Sequence, residues 1–190
     1  MTVARLEAVG FCAHYSPQGD WAFDFAFDLC RRQGLQLNVF HFLVDPFDPS
    51  DRTGQDVSAP ERRELAIAME KELRFHYEPK LGDYLDVGFR LCADPEWNEL
   101  HRCLTRREFQ LLVLPWPTAG ARFAGKPLED FADAFVCPVV LVGPESAREI
   151  HVNRPARLES DRYGLGEAIR AAEARPDHSE RFVVNGLPVG

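Results

Sequence analysis

Residues 21–46 read WAFDFAFDLCRRQGLQLNVFHFLVDP, and the change of period inside them decides the fold. In the first half, Ala22, Phe25, Ala26, Leu29 and Cys30 keep the i, i+3, i+4, i+7 spacing of one helix face, while Asp20, Asp24 and Asp28 recur every fourth residue on another. Arg31 and Arg32 suit the negative end of that helix, and Gly34 can take the left-handed conformation that closes it. From Leu35 the pattern becomes LQLNVFHFLV, dense in apolar and β-favouring residues, and it halts at Asp45-Pro46. A helix, a glycine and a strand follow one another without a linker.

The same alternation extends in both directions. Upstream, RLEAVGFC (5–12) suits a buried strand, and Ser16-Pro17-Gln18-Gly19 marks the first strand-to-helix turn. Downstream, DPFDPSDRTGQDVSAP (45–60) is a loop of turn formers, long enough to carry function. Ser58 with Glu61 makes a capping box, Pro60 lies in the first turn, and ERRELAIAMEKELRFHY continues as a helix with Leu65, Met69, Leu73 and His76 near one face. YLDVGFRLC (84–92) is a third strand; Asp94-Pro95-Glu96 supplies a helix start for WNELHRCLTRRE. FQLLVLP (109–115) is the most apolar strand, followed by a loop, a short helix around KPLEDFADAF and a fifth strand, CPVVLVG (137–143). Strands alternating with helices imply parallel crossovers, hence an α/β fold with an open, mostly parallel five-stranded sheet and helices on both faces.

Beyond residue 143 the pattern changes. ESAREIHVNRPARLESDRYG is polar and irregular, LGEAIRAAEA is helical, and RFVVNGLPV carries the hairpin dipeptide Asn185-Gly186. The expected organisation is therefore an α/β domain over 1–143 and an extension over 144–190, too poor in apolar residues to fold alone. It packs on the domain or on a second subunit. An open sheet edge needs cover, so a homodimer through the last strand and the tail is the expected assembly.

A 190-residue chain with 45% hydrophobic and 27% charged residues has the composition of one folded domain. Its net charge of -8 argues against nucleic-acid or anionic-membrane partners, which favour a basic excess. The start shows no basic segment followed by a long apolar run, and no stretch nears the roughly 20 apolar residues of a membrane span, so a cytoplasmic location is expected. The five scattered cysteines contain no C-x-x-C pair, which suggests neither a disulfide framework nor a zinc site.

Five strands in this order, over about residues 5–143, resemble the universal stress protein family, a branch of the adenine-nucleotide α-hydrolase-like folds. Three local matches carry the resemblance. AFDLCRRQGLQLNVFHFLVDP looks like the family's helix, glycine and strand with a His-Val-x-Asp-Pro-like end; CPVVLVG looks like its terminal strand; and Gly125, twelve residues before Cys137, falls where the family has a helix-opening glycine. The resemblance implies a ligand site beyond the carboxyl ends of the strands, where adenine nucleotide binds in part of the family.

In that branch an aspartate, a glycine and a serine follow strand one, and Gly-x2-Gly-x9-Gly-Ser/Thr follows strand four. Here His14 and Tyr15 stand at the first two positions and only Ser16 is kept. After strand four the chain reads Pro115-Trp116-Pro117-Thr118-Ala119-Gly120, Pro115 has no N–H to offer, and Lys126 follows Gly125. Two readings stay open. In one, Lys126 and Arg122 supply point charges and His14 or Trp116 meets a base, so AMP or ATP binds through His14, Ser16, Val44, Gly125 and Lys126. In the other, the prolines and Trp116 fill the cleft and Lys126 is a solvated lysine. Losing several N–H donors removes bonds of roughly 1.5–3 kcal/mol each, so the expectation is a protein without standard ATP binding.

Other candidates carry less. His41 reads as an ordinary strand residue, His76 and His101 lack a ligand-type partner at i+4, and the Asp20, Asp24, Asp28 stripe reads as a solvated face. Asp45 is explained by its turn with Pro46. G-x-S-x-G, G-x-x-x-x-G-K-[ST] and G-x-G-x-x-G motifs are all missing from the sequence. The expected function is a non-enzymatic stress-response or regulatory interaction module, with a nucleotide-binding switch as the alternative.

Overall fold

The structure, a computed structural model, describes residues 5–48, 50, 57–92 and 98–176. The helix start at Asp94-Pro95-Glu96, residues 49 and 51–56 of the 45–60 loop and the RFVVNGLPV segment lie outside the described residues.

The first crossover follows the period change. β1 (Ala8–Cys12) is buried throughout and feeds α1 (Pro17–Gln33), whose N-cap Ser16 accepts the Gly19 N–H through its side chain. Gly34, at φ 64°, ends the helix and sends the Leu35 N–H back to the Cys30 carbonyl. β2 (Gln36–Phe42) then pairs parallel to β1, with Phe11 opposite Val39. α2 (Ala59–Leu81) opens on the Ser58–Glu61 capping box, in which Glu61 also accepts the Ser58 N–H at 2.9 Å. It leads to β3 (Val87–Cys92). α3 (Asn98–Thr105) precedes β4 (Leu111–Pro115), which returns to the other side of β1. α4 (Leu128–Ala134) leads into β7 (Val139–Val142).

Two features depart from the sequence reading. Between β4 and α4 the chain makes a small antiparallel ribbon, β5 (Arg122–Phe123) with β6 (Lys126–Pro127). Its two turn residues, Ala124 and Gly125, both have positive φ (51° and 79°), the backbone demanded by a tight two-residue hairpin. Gly125 therefore turns a hairpin and does not open the helix, which begins at Leu128.

Among the described residues the sheet also has six strands where five were expected, in the order β3-β2-β1-β4-β7-β8. The sixth, β8 (Ile150–Val152), pairs antiparallel with β7 through Leu141 opposite His151. Three residues are too few to display a period, so this strand passes for irregular sequence. α5 (Arg154–Leu158) and α6 (Leu165–Glu173) follow, and α6 packs on α1.

Alternate strand residues feed two cores. Val9, Phe11, Leu37, Val39, Val113 and Val140 meet α1 and α2, together with Ala156, Leu165 and Ala168 of the last two helices. Cys12, Phe40, Leu112, Leu114 and Leu141 meet Leu100, Phe123 and Leu128 on the opposite face. Burial on both faces is why these strands read as continuous apolar runs. Gly10 is the exception inside β1: a Cβ there would lie 3.0 Å from the Phe109 ring, so glycine lets Phe109 close over the strand.

Asn153, fully buried, joins the end of β8 to its surroundings. Its Oδ1 accepts the Val139 N–H at 2.9 Å and the Ala156 N–H at 3.0 Å; its Nδ2 donates to the Ala132 and Cys137 carbonyls at 2.8 and 3.0 Å. Among the described residues, no helix is long and apolar enough to cross a membrane.

Candidate functional site

The chain moves outward from β1 through β2 to β3, then returns to place β4 on the other flank of β1. Loops diverge at such a reversal, and clefts form beyond the carboxyl ends of the strands there. A cavity of about 320 Å³ opens at this end, on the β1–β2 side. Its walls are Ala13, His14 and Tyr15 after β1; His41, Phe42, Leu43, Asp45 and Pro46 at the end of β2; and Met69 from α2.

The turn after β1 aims its side chains by local hydrogen bonding. The Ser16 hydroxyl caps α1 through the Gly19 N–H at 2.9 Å and stands 2.7 Å from His14 Nδ1, so that face of the imidazole is engaged. The His14 ring meets Phe47 edge-on at 4.9 Å. Gly19 is required here, because a Cβ would overlap the His14 carbonyl. Asp45 is held by its own turn, Oδ1 accepting the Phe47 N–H at 2.9 Å.

Tyr15 forms an outer wall. Its ring lies 5.3 Å from His41, 5.1 Å from His76 and 6.5 Å from Tyr77, the last nearly parallel. Behind it, Asp20 Oδ1 accepts Lys80 Nζ at 2.5 Å and faces His76 Nε2 at 3.2 Å. The acidic stripe of α1 is thus engaged at both ends, since Asp28 takes Arg32 at 2.8 Å and Arg175 at 3.7 Å.

Burial sets the charge state of the cavity. It pushes the His41 imidazole down to about 4, with the neighbouring His14 adding to the effect. His14 is also lowered by burial, against an opposing pull from Asp45. Burial raises the Tyr15 hydroxyl to about 12, assisted by Glu72. At neutral pH the cavity therefore presents two uncharged imidazoles and a phenol. For Asp20, burial acts to raise the carboxyl, but the hydrogen bonds from Lys80 and His76 outweigh it and leave a net lowering.

The residues expected from sequence divide. His14 lines the cavity and Ser16 supports it from behind. Val44 is buried between two lining residues without lining the cavity itself. Gly125 and Lys126 are exposed on the β5–β6 hairpin, outside the cavity wall. That hairpin is tied down by the Ala124 N–H to the Pro46 carbonyl at 2.9 Å, and by Phe123 against Phe47 at 5.0 Å. The Arg122 guanidinium donates to the Gly125 carbonyl within the same hairpin. Trp116 packs against the α3–α4 core and meets His151 edge-on at 6.1 Å.

Tyr15, His41, Asp45 and Met69 are the wall residues that sequence reasoning passed over. A signal for His41 existed: it is a histidine at the carboxyl end of an otherwise apolar strand. Tyr15 carried one in its position, at the family's glycine place after β1, whereas Met69 carried none, because its approach depends on how α2 crosses the rim.

No family model matches the sequence, and comparison with curated proteins finds no match either. Solved structures do match. The universal stress protein UspA from Lactobacillus plantarum superposes with a TM-score of 0.53 at 16% identity, covering 74% of this chain and 100% of that one. A universal stress protein family member from Burkholderia pseudomallei gives 0.48 at 19% identity, over 73% of this chain and 97% of its own. A universal stress protein in complex with cAMP gives 0.49 at 16% identity, over 74% and 99%. At such identities the likeness concerns architecture, and the β3-β2-β1-β4-β7 parallel core agrees with it: this chain has the universal stress protein fold.

Proposed function

We propose that this chain is a non-enzymatic, regulatory module that holds an uncharged planar ring, a nucleobase or nucleoside, and does not bind ATP in the standard way. The observation that carries the reading is the cavity itself: about 320 Å³, walled by His14, Tyr15, His41 and Met69, with both imidazoles uncharged at neutral pH. Its size falls at the small end of the roughly 300–1,000 Å³ of small-molecule sites. Neutral imidazoles offer one donor and one acceptor each, which suits ring nitrogens and amino groups better than phosphate oxygens.

Backbone donors that a phosphate would need after β4 are missing or already engaged. Pro115 ends β4 without an N–H, Trp116 covers the core, and the Ala124 and Leu128 N–H groups are taken by the Pro46 and Ala121 carbonyls. The alternative, an AMP or ATP switch built on Gly125 and Lys126, draws no support from a hairpin that faces solvent. A non-catalytic role fits the structural duties of the polar groups: Ser16 caps a helix and Asp45 holds a turn. The expected homodimer would have to form elsewhere than on the outer edge of β7, which β8 covers.

Isothermal titration with adenine, adenosine, AMP and ATP tests the reading. Adenosine is expected to bind at least as tightly as ATP, and His41→Leu to weaken both. Tighter ATP binding that is lost in Lys126→Ala would replace this reading with the switch.

A further inference from the structure

At the edge opposite β8 the sheet ends on β3, and its ladder to β2 shows which backbone groups it offers. The Leu37 N–H bonds the Asp86 carbonyl and the Leu43 N–H bonds the Cys92 carbonyl, both at 2.9 Å. In a parallel pair the residues that bond one neighbour alternate with those that do not, so the backbone of 86, 88, 90 and 92 turns towards β2. The N–H and C=O groups of Val87, Phe89 and Leu91 face outward, and among the described residues no strand pairs with them. Proline, bulges or charges commonly blunt such an edge. β3 reads VGFRLC, and its one charge, Arg90, is held by Glu108 at 2.7 Å.

α2 runs beside this edge. The Arg74 guanidinium lies 4.8 Å from the centre of the Phe89 ring, between Glu70 at 3.1 Å and Glu78 at 3.2 Å. Ile67, Lys71, Arg74 and Glu78 are spaced three or four residues apart and share that flank of the helix. Phe75 and Leu85 are 84% and 92% exposed, and with Ile67 they are three of the six large hydrophobic side chains that stand exposed among the described residues. Apolar surface left over by folding is thus concentrated on α2 and at the approach to β3. Met69 of the same helix points the other way, to the cavity.

We propose that a second copy of this chain docks on β3, antiparallel and about a two-fold axis through Phe89, so that two sheets become one. In that register Phe89 faces its own copy and Val87 faces Leu91, and every outward N–H and C=O of the two strands finds a partner. Charge points to a second copy as the occupant. Because Arg74 lies over Phe89, the axis crosses α2 near that residue, and the two helices run antiparallel side by side. Lys71, three residues before Arg74, then meets Glu78 of the second copy, four residues after it. Lys71 has no ion partner of its own among the described residues. Each copy supplies the charge that the other needs, and Phe75 is shut in beside the axis. The proposal is independent of what the cavity binds.

Sedimentation over a concentration series tests it on the full chain and on full-length Lys71→Glu, Glu78→Lys and the double variant Lys71→Glu/Glu78→Lys. The changes lie on an exposed helix surface, and melting curves check that each variant folds. The expected result is a dimer whose dissociation constant rises about tenfold in each single variant, where like charges meet twice, and returns towards the parent value in the double variant. Glu78→Lys also loses the bond to Arg74, but so does the double variant, which makes the recovery the decisive readout. A monomer at every concentration overturns the proposal and leaves the edge to a segment of the same chain. A dimer equally tight in all four proteins, or one that the double variant fails to restore, overturns it too, because the contact then lies elsewhere.

Discussion

Replacing Asn153 with alanine should be among the most costly single changes in this protein. The side chain is fully buried and makes four hydrogen bonds, to the backbones of Ala132, Cys137, Val139 and Ala156. These belong to α4, the entry of β7, β7 itself and α5, so one amide ties together the last crossover and the strand that extends the sheet. At about 1 kcal/mol net for each bond the loss sums to about 4 kcal/mol, and the groups left without partners are buried. That is a large share of the roughly 5–15 kcal/mol that holds an ordinary domain together. Urea unfolding should show the midpoint drop with an unchanged slope, and the melting temperature should fall by about 8–16 °C. Asn153→Asp sharpens the test. It keeps both acceptor bonds, loses both donors and buries a charge, so it should be at least as unstable at neutral pH and recover partly under acid conditions, where the carboxyl carries a proton. A loss below about 1 kcal/mol for the alanine variant would mean that the four bonds do not form together.

Two further outcomes follow from the cavity. His41 stays neutral in the fold down to about pH 4, whereas an unfolded histidine takes a proton near 6.5, so the unfolded chain binds more protons between those values. Stability is therefore complete above pH 6.5 and declines as the pH falls towards 4, by about 3 kcal/mol at most, with His14 acting in the same direction. Urea midpoints measured across that window should fall less in His41→Gln than in the parent; parallel curves would refute the assignment. Gly19→Ala should cost about 1–3 kcal/mol and abolish any ring binding, since the new methyl forces the start of α1 away from the His14 carbonyl. An unchanged melting temperature would show that this turn has room to spare.

The architecture was legible because its elements are local patterns of sufficient length. α1 carries five apolar residues at helical spacing, and β2 and β4 are runs whose sheet faces are both buried. The Ser58–Glu61 box and Gly34 act within one turn of chain, so they could be read as residues and found as geometry. β8 was not legible, because its three residues show no period and pair only when β7 is alongside. The β5–β6 hairpin was missed for a related reason: it is turned by Ala124, a non-glycine at positive φ, and secured by contacts with Phe47 and Pro46, which lie far away in sequence.

The candidate site divides along the same line. Sequence by itself determined that the ends of β1 and β2 would meet at the carboxyl rim, that His14 and Ser16 would stand there, and that Pro115 could offer no N–H. Only the tertiary structure decided that His41, Tyr15 and Met69 converge with them on one cavity, while Gly125 and Lys126 stay outside it on a separate ribbon. The physical reason is range. Capping, turn chemistry and periodicity act over a few residues and leave marks in the chain, whereas a cavity wall is assembled from strand ends and a helix face that come together only after the crossovers have packed.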